Sequence, residues 1–184
     1  MRPRGPLKTL VEAVVFAAAL VLVFFILRIA GFIETETGNA VAVDGDSLKL
    51  GGSSIRLHAI DAPEYRQECY EADGRAWPCG REAHRLLRSL VKNEQATCRP
   101  VDTDKYGRTV AECSVGGRSL NEEMVRQGLA IAYIHHGSKH EQLESEARAA
   151  KRGIWRGRFE RPQDWRAREK LVRGDVTGGR EEDD

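Results

Sequence analysis

Carboxylates gather around one arginine between Val43 and Glu64. The stretch reads Val-Asp-Gly-Asp-Ser-Leu-Lys-Leu-Gly-Gly-Ser-Ser-Ile-Arg-Leu-His-Ala-Ile-Asp-Ala-Pro-Glu. Asp44 and Asp46 precede a short β-like run, Asp61 and Glu64 follow a second, and Arg56 projects from that second run. Aspartate oxygens are hard ligands suited to Ca²⁺ or Mg²⁺. A carboxylate held off such a metal can orient or deprotonate water, and an arginine can clamp a phosphate with paired donors. Asp-Gly-Asp alone is also an ordinary turn, and Asp-Ala-Pro-Glu an ordinary loop start; it is their joint appearance around one pair of strands that points to chemistry. A second charged stretch runs Asp102-Thr103-Asp104-Lys105-Tyr106-Gly107-Arg108. It offers Lys105 and Arg108 to an anion with Tyr106 between them, and it reads equally as an exposed hairpin tip.

The elements that must position these residues follow from periodicity. Ser47 to Leu50 and Ser54 to Ile60 alternate apolar and polar residues about Gly51-Gly52, which predicts a hairpin. Its two ends are neighbours in space, so Asp46, Asp61 and Glu64 are expected on one rim. Ala83, Leu86, Leu87, Leu90 and Val91 fall at helical spacing and predict an amphipathic helix over Gly80 to Lys92. Strands are expected near Gln95 to Pro100, Thr109 to Val115 and Leu129 to Ile134. Helices are expected over Leu120 to Gln127 and Lys139 to Arg152, each opened by a capping box (Ser119 with Glu122, Ser138 with Glu141) and closed by glycine (Gly128, Gly153). Ile154, Trp155, Phe159 and Trp165 are expected to fold back onto the domain. This order suits an α+β fold: a closed five-stranded barrel of the oligonucleotide-binding type with helices packed beside it. Pattern alone also admits other α+β arrangements.

The chain has 184 residues, of which 31% are charged, for a formal net charge of +1. That balance excludes a strongly basic, histone-like binder, so any anion site is a local patch. Thr9 to Ile33 is mostly apolar, broken only by Glu12 and Arg28, with basic Arg2, Arg4 and Lys8 before it and Glu34 and Glu36 after. About 20 residues span a bilayer, so residues 1–35 are expected to hold a signal-anchor helix with the N-terminus cytoplasmic and the remainder periplasmic or extracellular. A cleaved signal peptide, giving a secreted protein, is the rival reading. Residues 36–170 form the expected domain, and residues 171–184, glycine-rich then acidic, an expected disordered tail. Either route delivers the domain to an oxidising compartment. Cys98 and Cys113 bracket one predicted hairpin, and Cys69 and Cys79 bracket a loop carrying Gly74 and Pro78, which predicts the disulfides Cys98–Cys113 and Cys69–Cys79. No pair forms a CxxC knuckle, which argues against a structural zinc site.

Several blocks in the same order resemble the staphylococcal nuclease (thermonuclease) family. They are Val43-Asp44-Gly45-Asp46-Ser47, Arg56-Leu57 with Ile60-Asp61-Ala62-Pro63-Glu64, and Asp104-Lys105-Tyr106-Gly107-Arg108. Leu120-Asn121-Glu122 with Met124 to Ala130 and Ala132-Tyr133 follow, and then Glu144 to Ala147 with Gly153-Ile154-Trp155. The resemblance covers Asn39 to Trp165. It implies an oligonucleotide-binding barrel with three helices and calcium-dependent hydrolysis of DNA and RNA to 3′-phosphate products. Carried over by position, it makes Asp46 and Asp61 side-chain calcium ligands and Ala62 a carbonyl ligand. It makes Glu64 the water-orienting or general-base carboxylate, and Arg56 and Arg108 the two phosphate-stabilising arginines. Lys105, Tyr106 and Tyr133 fall where the family contacts nucleotides; Tyr133 also suits barrel packing. Ser47 and Ala62 stand where the family's best-known members carry threonine.

Two other classes compete with a membrane-anchored nuclease. One is a non-catalytic nucleic-acid-binding module on the same barrel, which has no need of the full set Asp46, Asp61, Glu64, Arg56 and Arg108. The other is an extracytoplasmic protein adaptor, which needs none of it; no obligate protein partner is expected.

Overall fold

The computed structural model describes residues 6–29, 35–133 and 140–178. The chain divides into two compact units, with the boundary between residues 35 and 36. The first holds helix α1 (Pro6–Ile29). Its segment Leu10–Ile29 has 20 residues and a mean hydropathy of 2.9, long and apolar enough to cross a membrane by length and composition. Arg28 lies in its last turn.

The elements of the second unit, in chain order, begin with β1 (Glu36–Ala42), β2 (Ser47–Leu50), β3 (Ser53–Leu57), β4 (Ile60–Asp61), β5 (Cys69–Glu71) and β6 (Ala76–Trp77). Then come α2 (Cys79–Val91), β7 (Gln95–Thr103), β8 (Thr109–Val115), β9 (Arg118–Ser119), α3 (Leu120–Arg126) and β10 (Ile131–Ala132). The series ends with α4 (Glu141–Ala149), β11 (Gly157–Arg158) and α5 (Pro162–Gly178). Strands β3, β2, β1, β7 and β8 lie side by side, and β3 pairs with β8, so the five close into a barrel, with β9 added outside β8. The closing pair is parallel, with Ile55 opposite Thr109 and Arg56 opposite Val110; the neighbours β1–β2, β2–β3, β1–β7 and β7–β8 are antiparallel.

Alternation produces this arrangement. Leu48 and Leu50 of β2, Ile55 and Leu57 of β3, Ala96 and Cys98 of β7, and Ala111 and Cys113 of β8 are all buried, while intervening residues such as Lys49 and Arg99 face out. The β2–β3 turn is Gly51-Gly52, both with positive φ (56° and 95°), the geometry that a two-residue hairpin requires. β7 bulges between Pro100 and Asp102, where a proline without an N–H is tolerated. Helix α2 covers the barrel with Ala83, Leu87 and Val91 fully buried and Leu86 and Leu90 partly so.

Both expected disulfides are formed, Cys69–Cys79 and Cys98–Cys113. Ser119 caps α3 by accepting the N–H of Glu122 at 3.2 Å. Several boundaries differ from the sequence expectation. The second strand of the hairpin ends at Leu57, because Ala59 turns the chain with a φ of 60°, and Ile60–Asp61 pairs instead with β10. The strand expected over Leu129 to Ile134 is confined to Ile131–Ala132 among the described residues, and Ser138 of the second capping box lies outside them. β1, β5 and β6 were not expected. Beyond the expected helices, α2, α3 and α4, stands α5, which continues to Gly178, past residue 171 where a disordered tail was expected to begin.

Candidate active site

Arg56 stands at the centre of the carboxylate cluster. Its Nη1 donates to Asp46 Oδ1 at 3.0 Å and its Nη2 to Asp61 Oδ1 at 2.9 Å. Asp46 comes from the loop entering β2, Arg56 from β3 and Asp61 from β4. The antiparallel pairing Ser47–Arg56 brings the first two together, and the turn at Ala59 brings the third. Asp46 is 4% exposed and Asp61 0%, so each needs a partner where it sits. Asp46 Oδ2 accepts the N–H of Ala62 at 3.0 Å, and Oδ1 accepts the Ser47 hydroxyl at 3.2 Å. Asp44 serves the turn, accepting the N–H of Asp46 at 2.9 Å.

Burial pushes the Asp46 carboxyl well above the usual aspartate value. The charge of Arg56 and the Ala62 N–H pull it down, and Asp44 and Asp61 add to the rise. Burial acts on Arg56 in the opposite sense, favouring the neutral form, but Asp46 and Asp61 outweigh it, and its pKa ends above the ordinary guanidinium value.

Arg56 opens onto a cavity of about 940 Å³. Its barrel side includes Arg56, Glu64, Lys105, Tyr106, Arg108 and Tyr133. Arg108, just before β8, donates from Nε to Asp104 Oδ2 at 2.8 Å. Slight desolvation of Asp104 is outweighed by its bonds from the Arg108 and Tyr106 N–H groups and the Arg108 side chain, and its pKa falls below the ordinary value. The ring of Tyr106 is 67% exposed, with Lys105 Nζ 5.2 Å and the Arg108 guanidinium carbon 5.7 Å from its centroid. Tyr133 follows β10, its N–H bonded to the Ala59 carbonyl at 2.9 Å.

Sequence reasoning missed the opposite wall. Helix α5 lines the same cavity with Trp165, Arg166, Glu169, Lys170 and Arg173. Arg166 Nη1 donates to Asp61 Oδ1 at 3.0 Å and to Glu64 Oε1 at 2.9 Å, while Nη2 donates to Asp61 Oδ2 at 3.1 Å. The spacing of Trp165, Arg166, Glu169 and Arg173 is helical, yet the face is polar, so hydrophobic periodicity gives no signal for it. Gln67 was missed too. It is 1% exposed, accepts the Glu64 N–H at 3.2 Å and donates to the Glu160 carbonyl at 2.7 Å. It thus ties the Glu64 loop to the segment that starts α5.

The family model described as staphylococcal nuclease homologue matches residues 54–157. The chain belongs to that family. Among its relatives is the succinoglycan biosynthesis protein ExoI of Rhizobium meliloti (strain 1021), 29% identical over 134 residues, which cover 71% of this chain and 70% of that one. The "Probable staphylococcal-like nuclease CAN3" of Oryza sativa subsp. japonica is 32% identical over 139 residues, 74% of this chain and 34% of its own. CAN2 of the same plant, named in the same words, is also 32% identical over 139 residues, 74% of this chain and 35% of its own. The aligned region thus spans about a third of the two plant proteins. A nuclease-like activity is the general class supported by the family and by these names. The family match ends before α5, so Arg166 stands outside it.

The donor set suits a hard divalent cation. Asp61 and Glu64 present carboxylate oxygens to one cationic group, the Arg166 guanidinium, and Asp46 lies across Arg56 from Asp61. Among the described residues no three His, Cys, Asp or Glu side chains form a ready metal cage. The Asp46 and Asp61 carboxylates supply fewer than the 6–8 oxygens that Ca²⁺ takes, so water and phosphate oxygens would complete its shell.

Proposed function

We propose that this protein is a calcium-dependent phosphodiesterase that hydrolyses DNA and RNA to 3′-phosphate products. The observation that carries this reading is the Arg56 fork. One guanidinium, which lines the cavity together with Glu64 and Arg108, holds Asp46 and Asp61.

In this reading Asp46 and Asp61, with the Ala62 carbonyl, hold Ca²⁺, which when bound offsets phosphoryl charge and favours ionisation of water. Glu64 orients a water and takes its proton. The water oxygen bonds to phosphorus, the bond to the 5′ oxygen breaks, and the 5′ oxygen leaves as a hydroxyl after taking a proton from solvent water. Arg56 and Arg108 balance charge on the non-bridging oxygens. Tyr106, between Lys105 and Arg108, offers an exposed ring to an unpaired base, and Tyr133 lines the same cavity; this favours single strands. Residues 1–35 anchor the protein in a membrane through α1, with basic residues on the cytoplasmic side and the catalytic unit, residues 36–170, outside. The two disulfides suit that compartment.

The test is cleavage of single-stranded DNA by the full chain in detergent micelles, with calcium, with a chelator, and with Glu64→Ala. Calcium-dependent cleavage that collapses in the variant is expected. Binding without cleavage by well-folded protein would replace this reading with that of a non-catalytic binding module.

A further inference from the structure

The base of the site already holds a cation, and the chain supplies it. Asp61 is wholly buried, and both its oxygens accept bonds from Arg166, one of them shared with Arg56. The same Nη1 of Arg166 reaches Glu64. Arg166 thus occupies both oxygens of Asp61, one of the two carboxylates proposed to hold the metal, and an oxygen of Glu64, the proposed base, so cation and guanidinium contend for the same carboxylate.

We propose that Arg166 is a tethered competitor for the divalent cation, and that α5 must release it from Asp61 and Glu64 before the metal binds. This rests on the calcium reading given above.

Two features support release as a real event. First, α5 is held firmly at its start and lightly along its length. Pro162 is buried, Gln67 bonds the Glu160 carbonyl, and the Arg168 Nε and Nη2 grip the Glu160 carboxylate at 3.2–3.3 Å. Beyond that, Ala167, Arg168 and Lys170 to Arg173 are exposed. Second, the Arg166 side chain is itself a third open to solvent, at 34% exposure, so it leaves for water without crossing a core. Displacement by another cation or by motion of α5 is what frees the carboxylates.

The quantitative expectation follows from population arithmetic. If the bridged state holds nine-tenths of the molecules or more, metal affinity is lowered about tenfold or more relative to a chain lacking the bridge. A merely structural arginine predicts the reverse, since its loss loosens the site and weakens binding.

The experiment is a calcium titration of the chelator-stripped full chain in detergent micelles, by calorimetry, for the unaltered chain, Arg166→Ala and Arg166→Gln. In parallel, amide hydrogen exchange of residues 163–173 in the unaltered chain is followed with and without calcium. The expected result is calcium binding about tenfold tighter or more in both variants, and faster exchange in α5 of the unaltered chain when calcium is present. Equal or weaker affinity in folded variants overturns the competitor role while leaving the calcium site intact. No calcium binding by any of the three chains at millimolar concentration overturns the calcium reading and the competitor together. Should both variants fail to fold, the exchange measurement decides, and unchanged protection of α5 on calcium binding overturns the proposal.

Discussion

Gly80 and Glu64 touch through their backbones. A Cβ built on Gly80 would lie 1.7 Å from the Glu64 carbonyl oxygen. The first turn of α2 therefore sits directly on the loop that carries the candidate base. An alanine inside a helix ordinarily gains up to about 1 kcal/mol over glycine. Here the clash is with backbone, and overpacking costs about 1–3 kcal/mol or more. Gly80→Ala is expected to lose stability in urea titration and to lower kcat, because Glu64 is displaced along with its backbone. An unchanged midpoint and an unchanged kcat would show that the loop yields freely.

Arg56 fixes the buried pair Asp46 and Asp61, and in the proposed mechanism it also meets substrate charge. Arg56→Ala is expected to lower kcat by about 10²–10³, the usual effect of removing one charge-stabilising donor. Arg56→Lys is expected to rescue little, because a single ammonium lacks the planar fork that reaches both carboxylates. Steady-state cleavage, with folding checked by circular dichroism, measures both. Full activity in folded Arg56→Ala would remove it from the mechanism.

Asn121 is 1% exposed and locks three backbone groups. Its side-chain N–H groups reach the carbonyls of His58 at 2.9 Å and Ala111 at 3.3 Å, and its oxygen accepts the Cys113 N–H at 3.0 Å. Asn121→Ala strands buried polar groups and is expected to cost about 2–3 kcal/mol. Denaturant unfolding checks this. The link to His58 also fixes the bend that delivers Asp61, so activity should fall at temperatures where the variant is still folded.

The Cys98–Cys113 bond joins directly paired residues of β7 and β8. Its sequence separation of 15 corresponds to about 3 kcal/mol of restriction on the unfolded chain. The double variant Cys98→Ala/Cys113→Ala is expected to unfold at a lower temperature in calorimetry while keeping its activity at low temperature. Asp46, Arg56 and Asp61 come from the region of β2, β3 and β4, and Arg108 precedes β8 at the end away from Cys113, so cleavage at low temperature should change little.

Much of this was legible because local pattern and tertiary need agreed. Leu48, Leu50, Ile55 and Leu57 alternate, and Gly51-Gly52 supplies the turn, so the hairpin could be drawn from the residues alone. The cysteines bracket loops, and the brackets gave the bonded pairs. Asp46, Asp61 and Glu64 were expected on one rim with Arg56 nearby; Arg56 joins Asp46 to Asp61, and Arg166 joins Asp61 to Glu64. The unread parts lack local signals. β1 contains Gly38 and Asn39, poor strand formers, and is a strand because β2 and β7 flank it. The bend at Ala59 has no glycine to announce its positive φ. Arg166 meets Asp61 across a separation of 105 residues, a contact that periodicity has no means of reporting.

The parallel pairing of β3 with β8 sets Arg56 opposite Val110, two positions beyond Arg108. The two arginines proposed to grip the phosphate thus stand on opposite sides of the seam where the barrel shuts. Strands that part there carry the two charges away from each other even if every strand keeps its own shape. Cleavage is then a gauge of closure. Under rising denaturant, activity should fade with the first loosening of that seam, ahead of signals that report on the helices.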